Sequence, residues 1–358
     1  MPVLNSRITS SPRVEDRCRV MALNCTASLP PPSWTFASLY LLVFITSLLL
    51  NCTAAWVFFQ IHAHKKTFAL YLRNMLAADL LMTLVLPVTI ATEAGVGPWW
   101  LRSVSCRYTA VLFYCCMYVN ILFLGLLALD RYLKIVRPFG VARGSCLYNY
   151  SFTRAMAAFV WLAMGALSFP NSILTNQEPT PETAHCCPSL KCALGLWWHE
   201  LVVYVNTGIF SSVLITLLAS YACIYRQVWV SSTRFVAMGR QKPKSQQNIL
   251  VVVVVFFLCF VPYHLWRIPF TRSQTSHHFS REVAAMLMEG KKITSFLSTC
   301  NVCLDPIIYL FMCQSFRSKL AEVLRLVPRE AASPDSGSPT DRRRESTVLR
   351  LRECSSLV

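Results

Sequence analysis

Long apolar stretches, which contain at most one acidic residue and no Lys or Arg, constrain this chain more than any other feature of its sequence. A helix needs about 20 apolar residues to cross the ~30 Å hydrocarbon core of a bilayer. Stretches that reach or approach this length lie at residues 35–61, 74–92, 108–129, 155–175, 201–225, 249–266 and 293–312. Lipid cannot satisfy open backbone groups, and no strand-length alternation indicates a barrel. The sequence therefore predicts an all-α membrane protein, a bundle of seven transmembrane helices.

The charge balance supports the same conclusion. Only 14% of the 358 residues are charged, whereas a soluble chain carries about 25%. The formal net charge is +17, from 34 Lys plus Arg against 17 Asp plus Glu. Because the positive residues alternate with the apolar stretches instead of forming one patch, they favour contact with anionic membrane lipid and argue against a nucleic-acid partner.

Positive charge also predicts the orientation of the helices. The segments that would be cytoplasmic with the N-terminus outside contain more Lys and Arg than the opposite set, so the N-terminus is predicted outside and the C-terminus inside. Residues 1–34 are then an extracellular tail, and residues 35–312 form the seven-helix domain. Residues 313–327 are predicted to form an amphipathic helix on the membrane surface, and residues 328–358 a disordered cytoplasmic tail.

Four polar side chains fall inside the predicted spans: Asp79, Asn120, Asn301 and Asp305. An intramembrane carboxylate is costly and indicates function by default. One interpretation is a polar switch between helices that binds an ion. The alternative is a hydrogen-bonded network that only holds the helices together.

Several short motifs occur in order along the spans. They are Asn74, Asp79 and Pro87 in span two, Asp130-Arg131-Tyr132 ending span three, Trp161 in span four, Phe256-x-x-Cys259-x-x-Pro262 in span six and Asp305-Pro306-Ile307-Ile308-Tyr309 in span seven. Together they resemble the rhodopsin-like family of G-protein-coupled receptors over about residues 35 to 326. The resemblance implies an outer pocket for an agonist and an inner crevice for a heterotrimeric G protein, with the chain in the plasma membrane.

The same resemblance implies roles for residues of the inner half. Arg131 would be restrained by Asp130 in the inactive state and would contact the G protein, of the inhibitory class, in the active state. Tyr309 would swing inward to support that state. Tyr132, Phe256, Pro262 and Pro306 are assigned to the same switch. Arrestin and receptor kinases would act on the tail.

Longer segments resemble the purinergic receptors that sense adenosine diphosphate or nucleotide sugars, together with their orphan and lysophosphatidate relatives. These segments are 131–138, 168–176, 187–200 and 262–271. The likeness implies a disulfide from Cys106 to Cys187, with Cys186 and Cys192 as alternative partners. Cys18 and Cys25 would then pair with one another, with Cys186 or with Cys192.

Basic and aromatic residues at the outer end predict a site for an anionic ligand. His264 and Arg267 are three residues apart and share one face of span six. The remaining members of the predicted site are Tyr114, Tyr118, Lys191, His199, Lys291 and Lys292. Ordinary helix packing of the tyrosines and snorkelling of the lysines are the alternatives. Nucleotide, nucleotide sugar and lysophospholipid all remain as ligand classes.

Other sequence features complete the predictions. Asn24 starts a glycosylation sequon, Cys313 is a palmitoylation candidate, and Ser356-Leu357-Val358 matches the carboxyl-terminal pattern that PDZ scaffolds bind. A transporter is disfavoured because no inverted repeat is found. An enzyme is disfavoured because Val203 interrupts the zinc-protease pattern that begins at His199 and no other catalytic constellation occurs. No cofactor is expected.

Overall fold

Seven long helices account for most of the described chain. The computed structural model describes residues 32–60, 67–136, 149–181, 183–184, 186–237, 247–275 and 279–323. In these ranges the apolar helices that are long enough to cross a membrane are Trp34–Gln60, Thr67–Ala94, Trp100–Val136, Tyr150–Ile173, Ala193–Val230, Val251–Ser273 and Glu282–Met312. We call them spans one to seven. They confirm the predicted all-α, seven-transmembrane architecture.

Most helices run further than the apolar stretches that predicted them. The helix of span five extends over Ala193–Ala237, against the predicted 201–225, and that of span six over Gln247–Thr275, against 249–266. Hydropathy detects only the part of a helix that must lie in hydrocarbon, whereas backbone hydrogen bonds continue the helix into the polar interface. The extra turns matter because they carry several of the predicted site residues.

Span three lies at the centre of the bundle. It packs against spans two, four and five. Its residues between Cys115 and Arg131 are almost all buried, including Met117, Ile121 and Leu124. Span six packs against spans five and seven, and span one against spans two and seven. Span three therefore forms part of the lining at both ends of the molecule.

Several spans contain irregular backbone. Span three begins with the helix Trp100–Val104 and a π-helical turn at Ser105–Thr109 before the regular helix Ala110–Val136. Span seven is divided at Cys300 into Arg281–Thr299 and Asn301–Met312. Prolines interrupt the backbone hydrogen bonding of spans two, six and seven, and they are Pro87, Pro262, Pro269 and Pro306. Such breaks leave backbone groups that neighbouring polar side chains can satisfy.

A short terminal helix, Gln314–Val323, follows span seven. Phe316 is buried, with its ring centroid 5.2 Å from that of Phe58 and 6.2 Å from that of Tyr309. Leu320 also packs against the core. The palmitoylation candidate Cys313 is itself buried where the two helices join.

Several predictions concern residues outside the described ranges. These are the Asn24 sequon, the pairing of Cys18 and Cys25, the tail 328–358 and its contacts with arrestin, kinases and a PDZ scaffold. We name the ends of the bundle by the predicted orientation. The outer end carries Cys106, and the inner end carries Arg131.

Candidate functional site

Basic side chains from spans five, six and seven meet at the outer end. Arg267 is buried, and its Nη2 lies 3.4 Å from Nε2 of His199 on span five. Its guanidinium carbon lies 5.4 Å from the ring centroid of Tyr114 and 5.9 Å from that of Phe270. Lys291 of span seven places Nζ 5.9 Å from the same Phe270 ring. We call Arg267, His199, Lys291 and Lys191 the cation cluster.

The bond to Arg267 identifies the protonation state of His199. A guanidinium group has only donors, so Nε2 of His199 must accept the hydrogen bond. The His199 ring is therefore neutral in this arrangement. It supplies an aromatic wall to the cluster and leaves the positive charge on Arg267 and the two lysines.

Lys191 reaches the cluster from the loop between spans four and five. Its Nζ donates hydrogen bonds to Thr175 Oγ1 at 3.3 Å and to Asn171 Oδ1 at 3.5 Å. Burial and, to a smaller extent, the nearby positive charge of Arg267 lower the pKa of Lys191 to about 8. A nearby anion would oppose both effects and restore the charge of the ammonium group.

Tyrosines and a second histidine form the floor of the site. The Tyr114 ring stacks on Tyr263 with centroids 5.9 Å apart. Nδ1 of His264 is 2.8 Å from the Phe260 carbonyl and therefore carries its proton, so Nε2 accepts the 2.9 Å hydrogen bond from the Tyr118 hydroxyl. His264 and Tyr118 thus satisfy one another in the core below Arg267, as the packing alternative for Tyr118 predicts.

The structure separates the two adjacent lysines that the sequence assigns to one site. Lys291 joins the cation cluster, whereas Lys292 forms a 3.1 Å ion pair with the exposed carboxylate of Glu289. Consecutive residues point about 100° apart around a helix, so both cannot face one pocket equally. Lys292 is not brought to the cluster.

A disulfide joins Cys106 to Cys187 and confirms the pairing that the family resemblance implies. Cys186 is disulfide-bonded as well. Cys192 is a free thiol that bonds to the Leu174 carbonyl and accepts from the Gly195 amide. The alternative pairings of Cys106 with Cys186 or Cys192 are therefore wrong, and Cys192 is excluded as a disulfide partner of Cys18 or Cys25.

A cavity of about 200 Å³ opens elsewhere at the outer end. It lies beside the turn at Gly95 and Gly97, whose φ angles of 68° and 104° suit glycine. Among the described residues that line it, Arg102 is the charged one, and none of them belongs to the cation cluster.

The four intramembrane polar residues lie in the middle of the bundle, in two hydrogen-bonded groups that we call the polar region. Asn120 donates to Asp79 at 2.6 Å, Tyr309 donates to the other Asp79 oxygen at 3.0 Å, and Asn301 donates to Asp305 at 3.0 Å. One oxygen each of Asn120, Asn301 and Asp305 is buried with no hydrogen bond to the described residues. The region is rich in acceptors, which is the chemistry that a hard cation or a shared proton would satisfy.

The inner end departs from the pairing that the resemblance implies. Asp130 forms its ion pair with Lys134, at 2.8 Å, and accepts a 3.2 Å hydrogen bond from Thr67. Arg131 instead donates to the Met312 carbonyl at 3.3 Å and lies 4.0 Å from the Phe68 ring centroid. The expected Asp130–Arg131 pair is thus absent from this part of the described chain.

The other predicted switch residues lie in the adjoining core. Phe256 stacks on Phe210 at 5.6 Å, and its neighbour in the motif, Pro262, lies inside the helix of span six. Pro306 is buried in span seven beside the polar region, and Tyr132 packs partly buried at the inner end.

The sequence analysis did not identify three residues that take part in the contacts at the two ends of the bundle. The Phe270 ring lies near both Arg267 and Lys291. Trp266 packs against Gly290, and Lys134 forms the ion pair with Asp130. Two of these contacts had a local signal, because Asp130 and Lys134 are four residues apart on one helix, and Arg267 and Phe270 are three residues apart on another. The packing of Trp266 against Gly290 depends on contact between spans.

Comparison with known proteins agrees with this architecture. Residues 50–309 match the 7 transmembrane receptor (rhodopsin family). The chain is 49% identical over 282 residues to G-protein coupled receptor 87 of Mus musculus, covering 79% of this chain and 78% of that protein. It is 42% identical over 286 residues to P2Y purinoceptor 13 of Homo sapiens, with 80% of each chain covered. Identity to P2Y purinoceptor 14 of Bos taurus is 40% over 320 residues, covering 89% of this chain and 91% of that one.

Proposed function

The chain belongs to the rhodopsin family of seven-transmembrane receptors, in its P2Y-like group, and from this premise we propose that it recognises an anionic, phosphate-bearing ligand. As a member of this family it is a multi-pass receptor of the plasma membrane, not an enzyme, and it acts on a heterotrimeric G protein. The proposal is that a nucleotide or a nucleotide sugar is the ligand and that the G protein is of the inhibitory class.

The cation cluster is the observation that carries the ligand proposal. Arg267, Lys291 and Lys191 contribute positive charge, and none of the ion pairs found among the described residues involves them. Gathering like charges in a partly dehydrated space is unfavourable unless an anion compensates them. A phosphate group would accept several charge-assisted hydrogen bonds at this position.

The aromatic surroundings suit the organic part of such a ligand. Tyr114 and Phe270 flank the guanidinium of Arg267, and Tyr114 stacks on Tyr263. A base or a sugar ring can pack against tyrosine faces while its phosphate contacts the cations. Two of the similar proteins are named purinoceptors, which supports a purine nucleotide as the first ligand class to test.

The test is a ligand screen followed by charge removal. The purified full-length receptor in lipid nanodiscs is combined with a purified G protein, and nucleotide exchange is measured with adenosine diphosphate, a uridine diphosphate sugar and lysophosphatidate. An active nucleotide or nucleotide sugar supports the proposal. Activity of lysophosphatidate alone would favour the lysophospholipid alternative, and inactivity of all three would refute the proposed ligand class.

Adjacent lysines then provide a matched comparison. Arg267→Ala and Lys291→Ala each remove a charge-assisted bond of roughly 1.5–3 kcal/mol, and should lower potency about 10- to 150-fold. Lys292→Ala removes the same charge from the next residue, whose partner is Glu289, and should change potency less than about threefold. Equal effects of Lys291→Ala and Lys292→Ala would show that the pocket has been assigned to the wrong face of span seven.

The coupling proposal concerns the inner end. We assign Arg131 to contact with the G protein, because it lies at the end of span three and is held by a neutral carbonyl and an aromatic ring. Agonist should lower cyclic AMP synthesis in cells that express the receptor. A rise in cyclic AMP, or a response only through calcium release, would contradict the inhibitory class.

A further inference from the structure

We infer that Lys134 is a positioning residue. By forming an ion pair with Asp130, it keeps the Arg131 side chain available for the G protein. The inference deepens the proposed function, since it rests on the coupling role of Arg131. It concerns two neighbouring cations and one carboxylate that only one of them can fully engage.

Both oxygens of Asp130 are already engaged. Lys134 Nζ donates to Oδ2 at 2.8 Å, and Thr67 Oγ1 donates to Oδ1 at 3.2 Å. Lys134 also donates to Thr67 at 3.1 Å, so the three side chains form a closed triangle between spans two and three. The Asp130 side chain is only 8% exposed and that of Lys134 33%. Such a pair is screened less by water than a surface pair.

Arg131 is directed to the other side. It donates to the Met312 carbonyl at the end of span seven, and its guanidinium carbon lies over Phe68 at the start of span two. Its Nε is buried and makes no hydrogen bond with the described residues. Both partners of Arg131 are uncharged, so a free carboxylate would be the stronger acceptor.

Removal of Lys134 should therefore redirect Arg131. Asp130 would keep only the Thr67 hydrogen bond, and a buried carboxylate without a cation is costly. The adjacent Arg131 has a long enough side chain to turn toward it, and this movement would break its contact with Met312. The restrained state of Arg131 that the family resemblance implies would then be produced by the substitution.

The experiment measures coupling without any agonist. Full-length receptor in nanodiscs is titrated with a purified, nucleotide-free inhibitory G protein, and the affinity is measured directly. Affinity is preferred because it can be measured even where basal exchange is slow. Lys134→Met should weaken binding about three- to thirtyfold, within the range of coupling between contacting charged residues, and Lys134→Arg should restore it.

The second half of the experiment is a double-mutant cycle. In the Asp130→Asn background, Lys134→Met should change affinity less than about twofold, because no carboxylate charge remains to capture Arg131. Lys319→Met is the matched control. It also removes an inner-face lysine with a nearby carboxylate partner, Glu322 at 3.0 Å, but it contacts neither Asp130 nor Arg131. Its affinity should match that of the unmodified receptor.

Two outcomes would overturn the inference. If Lys134→Met weakens binding equally with Asp130 and with Asn at residue 130, Lys134 acts on the G protein directly. If Lys134→Met leaves affinity unchanged, Arg131 does not depend on Lys134. Should Lys134→Met fail to reach the membrane, Lys134→Gln is used, and the thermal midpoints of the four cycle members report whether the Lys134–Asp130 contact exists.

The proposed ligand can fail independently of this inference. A receptor that responds to no nucleotide, sugar or lipid but shows the Lys134 pattern would refute only the ligand class. A receptor whose agonist is found but whose G-protein affinity ignores Lys134 would refute only the positioning role.

Discussion

Gly290→Ala should destabilise this receptor, although alanine normally improves a helix. Gly290 lies inside the helix Arg281–Thr299 of span seven, where the substitution alone would stabilise by about 1 kcal/mol. A methyl group at residue 290 would, however, overlap the Trp266 indole ring of span six. The ring must then move, and its 2.9 Å hydrogen bond from Nε1 to the Leu287 carbonyl is lost.

The sizes of these energies decide whether the substitution stabilises or destabilises the receptor. Overpacking costs about 1–3 kcal/mol and the lost hydrogen bond about 1 kcal/mol, so after the helix gain the net loss is about 1–3 kcal/mol. At about 3 °C per kcal/mol, the thermal midpoint in nanodiscs should fall by about 3–9 °C. The assay is thermal unfolding of the purified receptor followed by tryptophan fluorescence or by cysteine reactivity.

Two further variants test whether the overlap with the Trp266 ring causes the loss of stability. In a Trp266→Leu background, Gly290→Ala should raise the midpoint instead, because the obstructing ring is gone. Gly208→Ala in span five is the control, since a methyl group there would meet no atom within 4 Å. A Gly290→Ala receptor as stable as the parent, or one equally destabilised with Leu at residue 266, would refute the reasoning.

Three other outcomes are expected. Arg131→Ala should abolish agonist-driven nucleotide exchange with normal surface expression, and normal exchange would contradict its coupling role. Loss of Cys106 or Cys187 should impair surface delivery equally, and loss of both should add little, since one disulfide worth about 2–5 kcal/mol is removed either way. Because the pKa of Lys191 is about 8, its charge is lost above that pH. Binding of a phosphate-bearing agonist should weaken up to about tenfold from pH 7 to 9, and Lys191→Gln should remove this dependence.

The fold was predictable because the membrane leaves few alternatives. An apolar stretch that must cross hydrocarbon has to be helical, so the number and order of the spans could be derived from hydropathy alone. The ends could not, because a helix in the polar interface is stabilised by contacts with its neighbours and not by its own hydropathy. The outer turns of spans five and six, with His199 and Phe270, belong to this part.

The site was predictable where residue spacing or a motif defined it. Arg267 and Lys291 converge as expected, and the Cys106–Cys187 disulfide is confirmed. Lys292 was grouped with Lys291 because the two are adjacent in sequence, although adjacent helical residues point in different directions. The predicted partner of Asp130 was also wrong, for a different reason. A family resemblance favoured Arg131 as its partner, whereas the four-residue spacing of an ordinary helical ion pair favoured Lys134.

Contacts between side chains of different spans could not be predicted from the sequence. Gly290 reads as a weak point in a helix, and nothing near it indicates that an indole from span six fills the space of its missing side chain. The same holds for the Met312 carbonyl, which every residue type provides and which therefore leaves no mark in the sequence. Such contacts become visible only when the helices are packed together.

Spans three and seven each contribute residues to the outer end, the polar region and the inner end. Span three supplies Tyr114 beside the cation cluster, Asn120 in the polar region and Arg131 at the inner end. Span seven supplies Lys291, Asp305 and Met312 at the same three levels. From residue 110 to residue 136 span three is one helix buried at the centre of the bundle, whereas span seven is divided at Cys300, directly before the polar region. The residues at these three levels are therefore held by one continuous helix in span three and by two successive helices in span seven, so that of the two it is span seven that has a break between its outer and inner segments.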